Sequence, residues 1–273
     1  MDPFIPYYQW PEYDLINDIP PHLHRKEMGV SPRGKQWGWW PLYFEEYATD
    51  KEPQWDASAG PLRLVVWRRY RRSDIPPGWF TVGRQRSWME GYADITPDYR
   101  STWSESARRD AKRWRERSSG IYRIEPVSFD EFAGAYLLSQ AGKKLSDSRL
   151  NIMRRKMSGE QSRAVRLVGV RHIETGELAA GMGIIDSKTY KESLYYCGFF
   201  GGQYAHDKPM TGLIDWWFAD SQEKGLSRLH FGQFWIPGEP DERRGFSNFK
   251  AKFGITYVAC QPPLWRIKGG KLI

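Results

Sequence analysis

Cysteine is scarce: the 273 residues include two, Cys197 and Cys260. Cys197 falls in an apolar run, which marks it as a small hydrophobe rather than a nucleophile or half of a bridge. His22 and His24 have no further ligands beside them, so no metal site is expected there. The sequence has no Ser/His/Asp set, no Walker loop and no clustered metal ligands, and no cofactor is expected. No apolar run approaches the length of a membrane span. Met1-Asp2-Pro3-Phe4 lacks the basic-then-apolar pattern of a secretory leader. A reducing, cytoplasmic location is the expectation. Internal repeats and low-complexity tracts are also lacking.

What is present is apolar material for a core and an excess of positive charge. Forty per cent of the residues are apolar, and 14 are tryptophan. Lys and Arg outnumber Asp and Glu by 41 to 33, a formal net charge of +8. That balance suits an anionic partner such as nucleic acid, a phosphorylated metabolite or an anionic polymer, and equally a scattered surface charge.

Residues 1–60 are rich in proline and aromatic residues. Pro20-Pro21, Pro32 and Pro41 break any long helix, and Trp37, Trp39, Trp40 and Phe44 read as an extended arm wrapped on the body. Pro61 to Trp67 reads as a strand, with Trp79 to Val82 as its hairpin partner. Between them, Arg68-Arg69-Tyr70-Arg71-Arg72 suits phosphate contact, or a solvated strand end.

The pattern from Thr102 to Arg117 predicts a helix, with Thr102 and Glu105 as a capping box. Ala107, Ala111 and Trp114 form its apolar stripe. Arg109, Arg113 and Arg117 form a like-charged row, which an anion or the nearby Asp110 and Glu116 would offset. Ser118-Ser119-Gly120 ends the helix and marks a domain boundary. A strand at 121–125 follows, then a helix capped by Ser128 with Glu131 and stopping near Gly142, then a helix from Ser146 carrying Leu150, Met153 and Met157. Val165 to Arg171 and Leu178 to Asp186 make a hairpin. Gly181-Met182-Gly183 within it predicts a bulge or a close backbone approach by a ligand. Tyr195 to Phe200, a helix from Met210 to Lys224, and Ser227 to Gly232 make a βαβ unit, hence a parallel strand pair.

From residue 121 the element order is strand, two helices, three antiparallel strands, helix, strand, short helix, strand. This order resembles the GNAT acyltransferase fold. The resemblance implies that 195–200 and 227–232 splay apart and that the gap between them holds an acyl donor. Acetyl-CoA-dependent members carry a glycine-rich turn that binds the pyrophosphate at the next helix N-terminus. Residues 203–212 here read Gln-Tyr-Ala-His-Asp-Lys-Pro-Met-Thr-Gly and lack that pattern.

Residues 100–260 resemble the FemABX-like aminoacyltransferases more closely. The residues that carry this are Tyr195-Tyr196-Cys197-Gly198, Pro209 leading into Leu213-Ile214-Asp215-Trp216-Trp217, Leu229-His230-Phe231-Gly232, and an ending with Gly245, Phe249-Lys250 and Phe253-Gly254. The Arg-rich helix at 102–117 fits too. The resemblance implies an α+β (α/β) fold: a GNAT-like mixed, twisted sheet flanked by helices, with a reduced or partial N-terminal GNAT-like half. The expected divisions are an arm at 1–60, a partial subdomain at 61–120 and a GNAT-like domain at 121–273.

The implied chemistry is amide formation by transfer of an aminoacyl group from aminoacyl-tRNA, or another anionic acyl donor, to a cell-wall precursor or peptide. The resemblance puts Phe249 and Lys250 at the donor site. Lys250 would project into the gap and hold a donor phosphate or a developing oxyanion. Arg243 and Arg244 would add phosphate contacts, and Tyr196 would line the cleft. Asp215 and His230 are the nearest candidates for proton handling, although a strand histidine is more often a satisfied core residue. Two alternatives stay open: an acyl-CoA-dependent N-acyltransferase, and a non-catalytic nucleic-acid-binding or assembly protein on a GNAT-like core.

Overall fold

The structure is a computed structural model, and it describes residues 10, 24–28, 34–39, 42–48, 52–53, 62–69, 74–81, 88–139, 146–158, 162–239, 241 and 244–268. The chain divides into two compact units, residues 90–257 and residues 1–89 with 258–273.

The smaller unit is a five-stranded sheet. Its strands are β1 (His24–Met28), β2 (Gly34–Trp39), β3 (Leu42–Ala48) and β4 (Leu62–Arg68), with β12 (Leu264–Lys268) from the far end of the chain, in the order β1-β2-β3-β4-β12. Only β3 and β4 run parallel. Tyr47, Val65, Trp67, Trp79 and Leu264 form its core. Two expectations change here. The aromatic arm is strand-rich, with Trp37 and Trp39 in β2 and Phe44 in β3; Trp40 and His22 lie outside the described residues. Residues 79–82 are not the partner of β4, whose edges are taken by β3 and β12; Phe80 makes a single bridge to Trp265. Arg69 is buried and donates to the Asp74 carbonyl at 3.1 Å, so it braces its own loop.

The larger unit runs β5 (Trp88–Asp94), α1 (Glu105–Ser118), β6 (Tyr122–Pro126), α2 (Phe129–Ser139), α3 (Ser146–Ser158), β7 (Val165–His172), β8 (Leu178–Ser187), β9 (Glu192–Phe200), α4 (Pro209–Glu223), β10 (Arg228–Phe234), α5 (Arg244–Lys250) and β11 (Thr256–Cys260). Its seven-stranded sheet has the order β11-β5-β10-β9-β8-β7-β6. The mixed sheet flanked by helices is the one expected. The Arg-rich helix α1, read as the end of a separate subdomain, belongs to this unit because its Ala107, Ala111 and Trp114 face is buried on α4. A Cβ on Gly212 of α4 would stand 2.2 Å from the Trp114 indole, so only glycine lets the two helices approach this closely. The cap of α1 is Ser104, whose hydroxyl accepts from the Ala107 amide at 3.2 Å; Thr102 instead donates to the Tyr99 carbonyl. Ser128 caps α2 as expected.

β8 is buried along nearly its whole length, which its unbroken apolar run anticipates. The space beside Gly181 and Gly183 is filled from within. A Cβ at these positions would meet the Phe199 ring at 2.4 Å and the Met153 methyl at 2.6 Å. The close approach there is therefore made by the chain's own side chains rather than by a ligand. The predicted bulge is present across the ladder from them. Gly183 pairs with Cys197 and Ile184 with Tyr195, leaving Tyr196 as the extra residue of β9.

β9 and β10 are parallel, as the βαβ reading requires, but they pair only at Arg228↔Glu192, Leu229↔Ser193 and His230↔Leu194. Beyond these positions they part. The Tyr196 bulge lies where the parting begins, since a bulge bends the strand and ends its pairing.

Candidate active site

The paired end of β9 and β10 is locked by buried charge. Glu192 accepts from the Arg228 guanidinium at 3.2 Å, and its other oxygen lies 2.6 Å from His230 Nε2. Arg228 also reaches Asp94 at 3.0 Å and lies over the Tyr92 ring. Burial pulls the His230 imidazole below its ordinary range, against the pull of Glu192. His230 thus clamps the closed end of the strand pair. Asp215 is likewise structural: Tyr99, Arg100 and Arg115 all donate to its carboxylate, tying α4 to α1 and to the turn before it. Neither of the two proton-handling candidates faces the open end.

The open end is filled by Lys250. Its side chain enters from the last residue of α5, and the residue is 4 % exposed. The amine donates to the Phe231 carbonyl at 2.7 Å and to the Gln233 carbonyl at 2.5 Å. These are carbonyls of β10 beyond its last pairing with β9, so the lysine replaces the missing ladder partner. Gly232, between them, holds a left-handed φ of 67°, which only glycine adopts without strain. Nζ also lies 4.3 Å from the Phe234 ring centre and 5.1 Å from that of Phe246. Burial, with repulsion from Arg149, brings the ammonium down to about 7, and Glu90 opposes the shift.

This shift has a sign that stability measurements can read. Between about 7 and the ordinary value of 10.5, the unfolded chain holds a proton that the folded chain has released. The lysine's contribution to stability therefore rises with pH across that window. Urea unfolding of Lys250→Met should lose that rise, so wild type gains on the variant from pH 7 to pH 10. Parallel pH profiles would contradict the burial of this charge.

The other residues of the motif have separate tasks. Phe249 packs on Phe253 at 5.1 Å, and Phe253 stacks on Phe231 and meets Trp103 edge-on. Gly254 has a φ of 68°, and a Cβ there would stand 2.1 Å from Thr102 Oγ1. The aromatic residues and Gly254 thus fix α5 against β10, and only Lys250 of the run points into the gap with its charge. Arg244 is exposed and lies over the Trp235 ring; Arg243 is outside the described residues. Tyr196 is half-buried at the bulge.

Sequence reasoning chose Tyr196 and passed over its neighbour. Tyr195 is 7 % exposed, its ring 5.6 Å from that of Phe246, and its hydroxyl has no hydrogen-bond partner. The hydroxyl rests where a Gly198 side chain would be, 2.4 Å from that Cβ position. Gly198, already visible in the motif, was the available signal. Arg149 was missed altogether, because nothing in the periodicity of α3 distinguishes it.

Known proteins were then compared. No family model and no curated protein matches the sequence. Solved structures do match the fold. FemX superposes with a TM-score of 0.63 at 9% identity, over 90% of this chain and 88% of that one. This is a FemABX-like fold of the GNAT type. L-PGS from Bacillus licheniformis matches at a TM-score of 0.55 and 13% identity, over 89% of this chain and 83% of the other. The C-terminal domain of a putative lysylphosphatidylglycerol synthetase from Agrobacterium fabrum matches at 0.56 and 13%, over 96% and 88%.

Within this FemABX-like fold, the N-terminus of α4 departs from a pyrophosphate cradle. Asp207 precedes it, and the Tyr122 hydroxyl, donating at 2.7 Å, holds that carboxyl below its usual range. A fixed negative charge there repels a phosphate. Pro209 supplies no N–H, and the Trp114 ring covers Gly212 in the first turn. Among the described residues, no helix is long and apolar enough to cross a membrane, and no group of three or more His, Cys, Asp or Glu is placed to hold a metal.

Proposed function

We propose that this protein is an amide-forming acyltransferase that works in the cytoplasm. It moves an aminoacyl group from aminoacyl-tRNA to an amine acceptor such as a cell-wall precursor or peptide. The acceptor nitrogen attacks the ester carbonyl, the resulting oxyanion collapses, and the tRNA ribose oxygen leaves. The proton lost by the amine passes to that leaving oxygen, so the protein needs no dedicated base.

The observation that carries this reading is the Lys250 amine, buried between the parting strands. An ammonium has three N–H donors. Two are taken by the Phe231 and Gln233 carbonyls, which fix the group in place. The third is left for a developing oxyanion or a donor phosphate, in surroundings where such a bond is stronger than in water. Phe249 holds the helix that presents the lysine, while Tyr196, Arg244 and Arg243 are assigned to the approach of the substrate. The likeness to FemX and to a putative lysylphosphatidylglycerol synthetase supports an aminoacyl donor, with a cell-wall or lipid molecule as acceptor.

The CoA alternative is weaker, because Asp207, Pro209 and Trp114 stand where a pyrophosphate would dock. The nucleic-acid-binding alternative has one observation in its favour: Arg109, Arg113 and Arg117 form no direct ion pair among the described residues, whereas Lys112 pairs with Glu116. The test is transfer of label from a mixed pool of radiolabelled aminoacyl-tRNA to amine acceptors, with acetyl-CoA in a parallel arm. Label in an amide product from tRNA supports the proposal. Label only from the CoA ester, or from neither donor, overturns it.

A further inference from the structure

The gap holds a second cation that Lys250 chemistry does not use. Arg149, on α3, is exposed to solvent, yet four groups feel its charge: Tyr136, Tyr195, Cys197 and Lys250. All four are buried. A side chain that meets water while its charge reaches buried residues on β9, α2 and α5 lines a recess. Phe246, 43% exposed, forms the facing wall, with its ring 5.6 Å from Tyr195 and 5.1 Å from the Lys250 amine. No carboxylate pairs with Arg149 among the described residues. The Tyr195 hydroxyl, buried and without a partner, is a second donor left unused in the same place.

Two unused donors, one of them cationic, converge in a recess that opens to solvent. A buried hydroxyl left without a partner is costly, and an oxyanion would satisfy it. A guanidinium fork matches a carboxylate or phosphate better than any other group on a substrate. We propose that Arg149 and Tyr195 form an oxyanion-binding subsite in the β9–β10 gap, which anchors a carboxylate or phosphate of the substrate beside Lys250. The inference uses the gap assigned above to substrate, and it deepens that reading by giving the substrate an acidic group.

The experiment is calorimetric titration of the full chain with sodium pyrophosphate and, separately, with N-acetylglycine, at constant ionic strength. Saturable binding of the first identifies a phosphate, and of the second a carboxylate. Arg149→Gln should weaken binding about tenfold or more, as expected for loss of a charge-assisted bond. Arg149→Lys should retain part of it, and Tyr195→Phe should weaken it while melting at the same temperature as wild type or higher. Arg154→Gln, an exposed charge removed from the same helix, should leave it unchanged. If neither anion binds wild type, or if Arg149→Gln binds as Arg154→Gln does, the subsite is wrong. Arg149-dependent anion binding without any aminoacyl transfer would keep the subsite and overturn the transferase. Transfer with an unchanged KM in Arg149→Gln would do the reverse.

Discussion

Lys250→Ala should lower aminoacyl transfer by about 10²–10³-fold, the range seen when one oxyanion donor is removed from an active site. The loss should appear in the rate of a single turnover, because the third N–H is engaged only as charge develops on the ester oxygen. The substitution also strands the Phe231 and Gln233 carbonyls, which water entering the emptied gap can solvate. Circular dichroism and urea unfolding of the same variant separate a damaged fold from a damaged reaction. Lys250→Arg is the informative companion. It keeps a positive charge, but a planar fork does not fit a site built around two carbonyls and a point charge, so it should recover little activity. Full activity in Lys250→Ala with the fold intact would remove the lysine from the chemistry.

The second large effect is expected at the other end of the strand pair. Glu192→Ala should destabilise the protein by about 3–5 kcal/mol, the cost of removing one partner from a buried ion pair. Glu192 is 4 % exposed, and it stands between Arg228 at 5 % and His230 at 1 %. Without it the guanidinium keeps only Asp94 from that group of acids, and the imidazole loses a contact of 2.6 Å. The three pairings of β9 with β10 sit on this cluster, so the change also loosens the hinge from which the strands part. Equilibrium urea unfolding measures it, and a loss below about 1 kcal/mol would show that the cluster is solvated rather than buried.

Much of this architecture was legible in the residues. The alternation and run lengths of 165–200 placed β7, β8 and β9. Pro209 and Gly225 bracketed α4, and the Phe249-Lys250-Phe253-Gly254 run announced α5. Position-specific glycines were read less well. Gly181 and Gly183 suggested a ligand but make room for Phe199 and Met153, and Gly212 makes room for Trp114. A sequence shows that a side chain is missing without showing what takes its place. The bulge was the other obstacle. Because Tyr196 is inserted in the ladder, alternation cannot say which of the adjacent tyrosines is buried, and the choice fell on the half-buried one. Asp215 and His230 were singled out for their chemistry, yet partners distant in sequence, Arg100 and Glu192, turn them into braces. The strands at 24–48 were hidden because aromatic residues and glycine interleave there without a clear period.

The most direct test of the β9–β10 gap as an acyl-donor pocket is the binding of charged against uncharged tRNA across a salt series, with wild type and Lys250→Ala. The account predicts that wild type prefers charged tRNA, that the preference survives as salt weakens binding to both, and that Lys250→Ala abolishes it. Equal binding of both forms at every salt concentration, unchanged by the substitution, would contradict a donor pocket and leave a basic surface that binds polyanions.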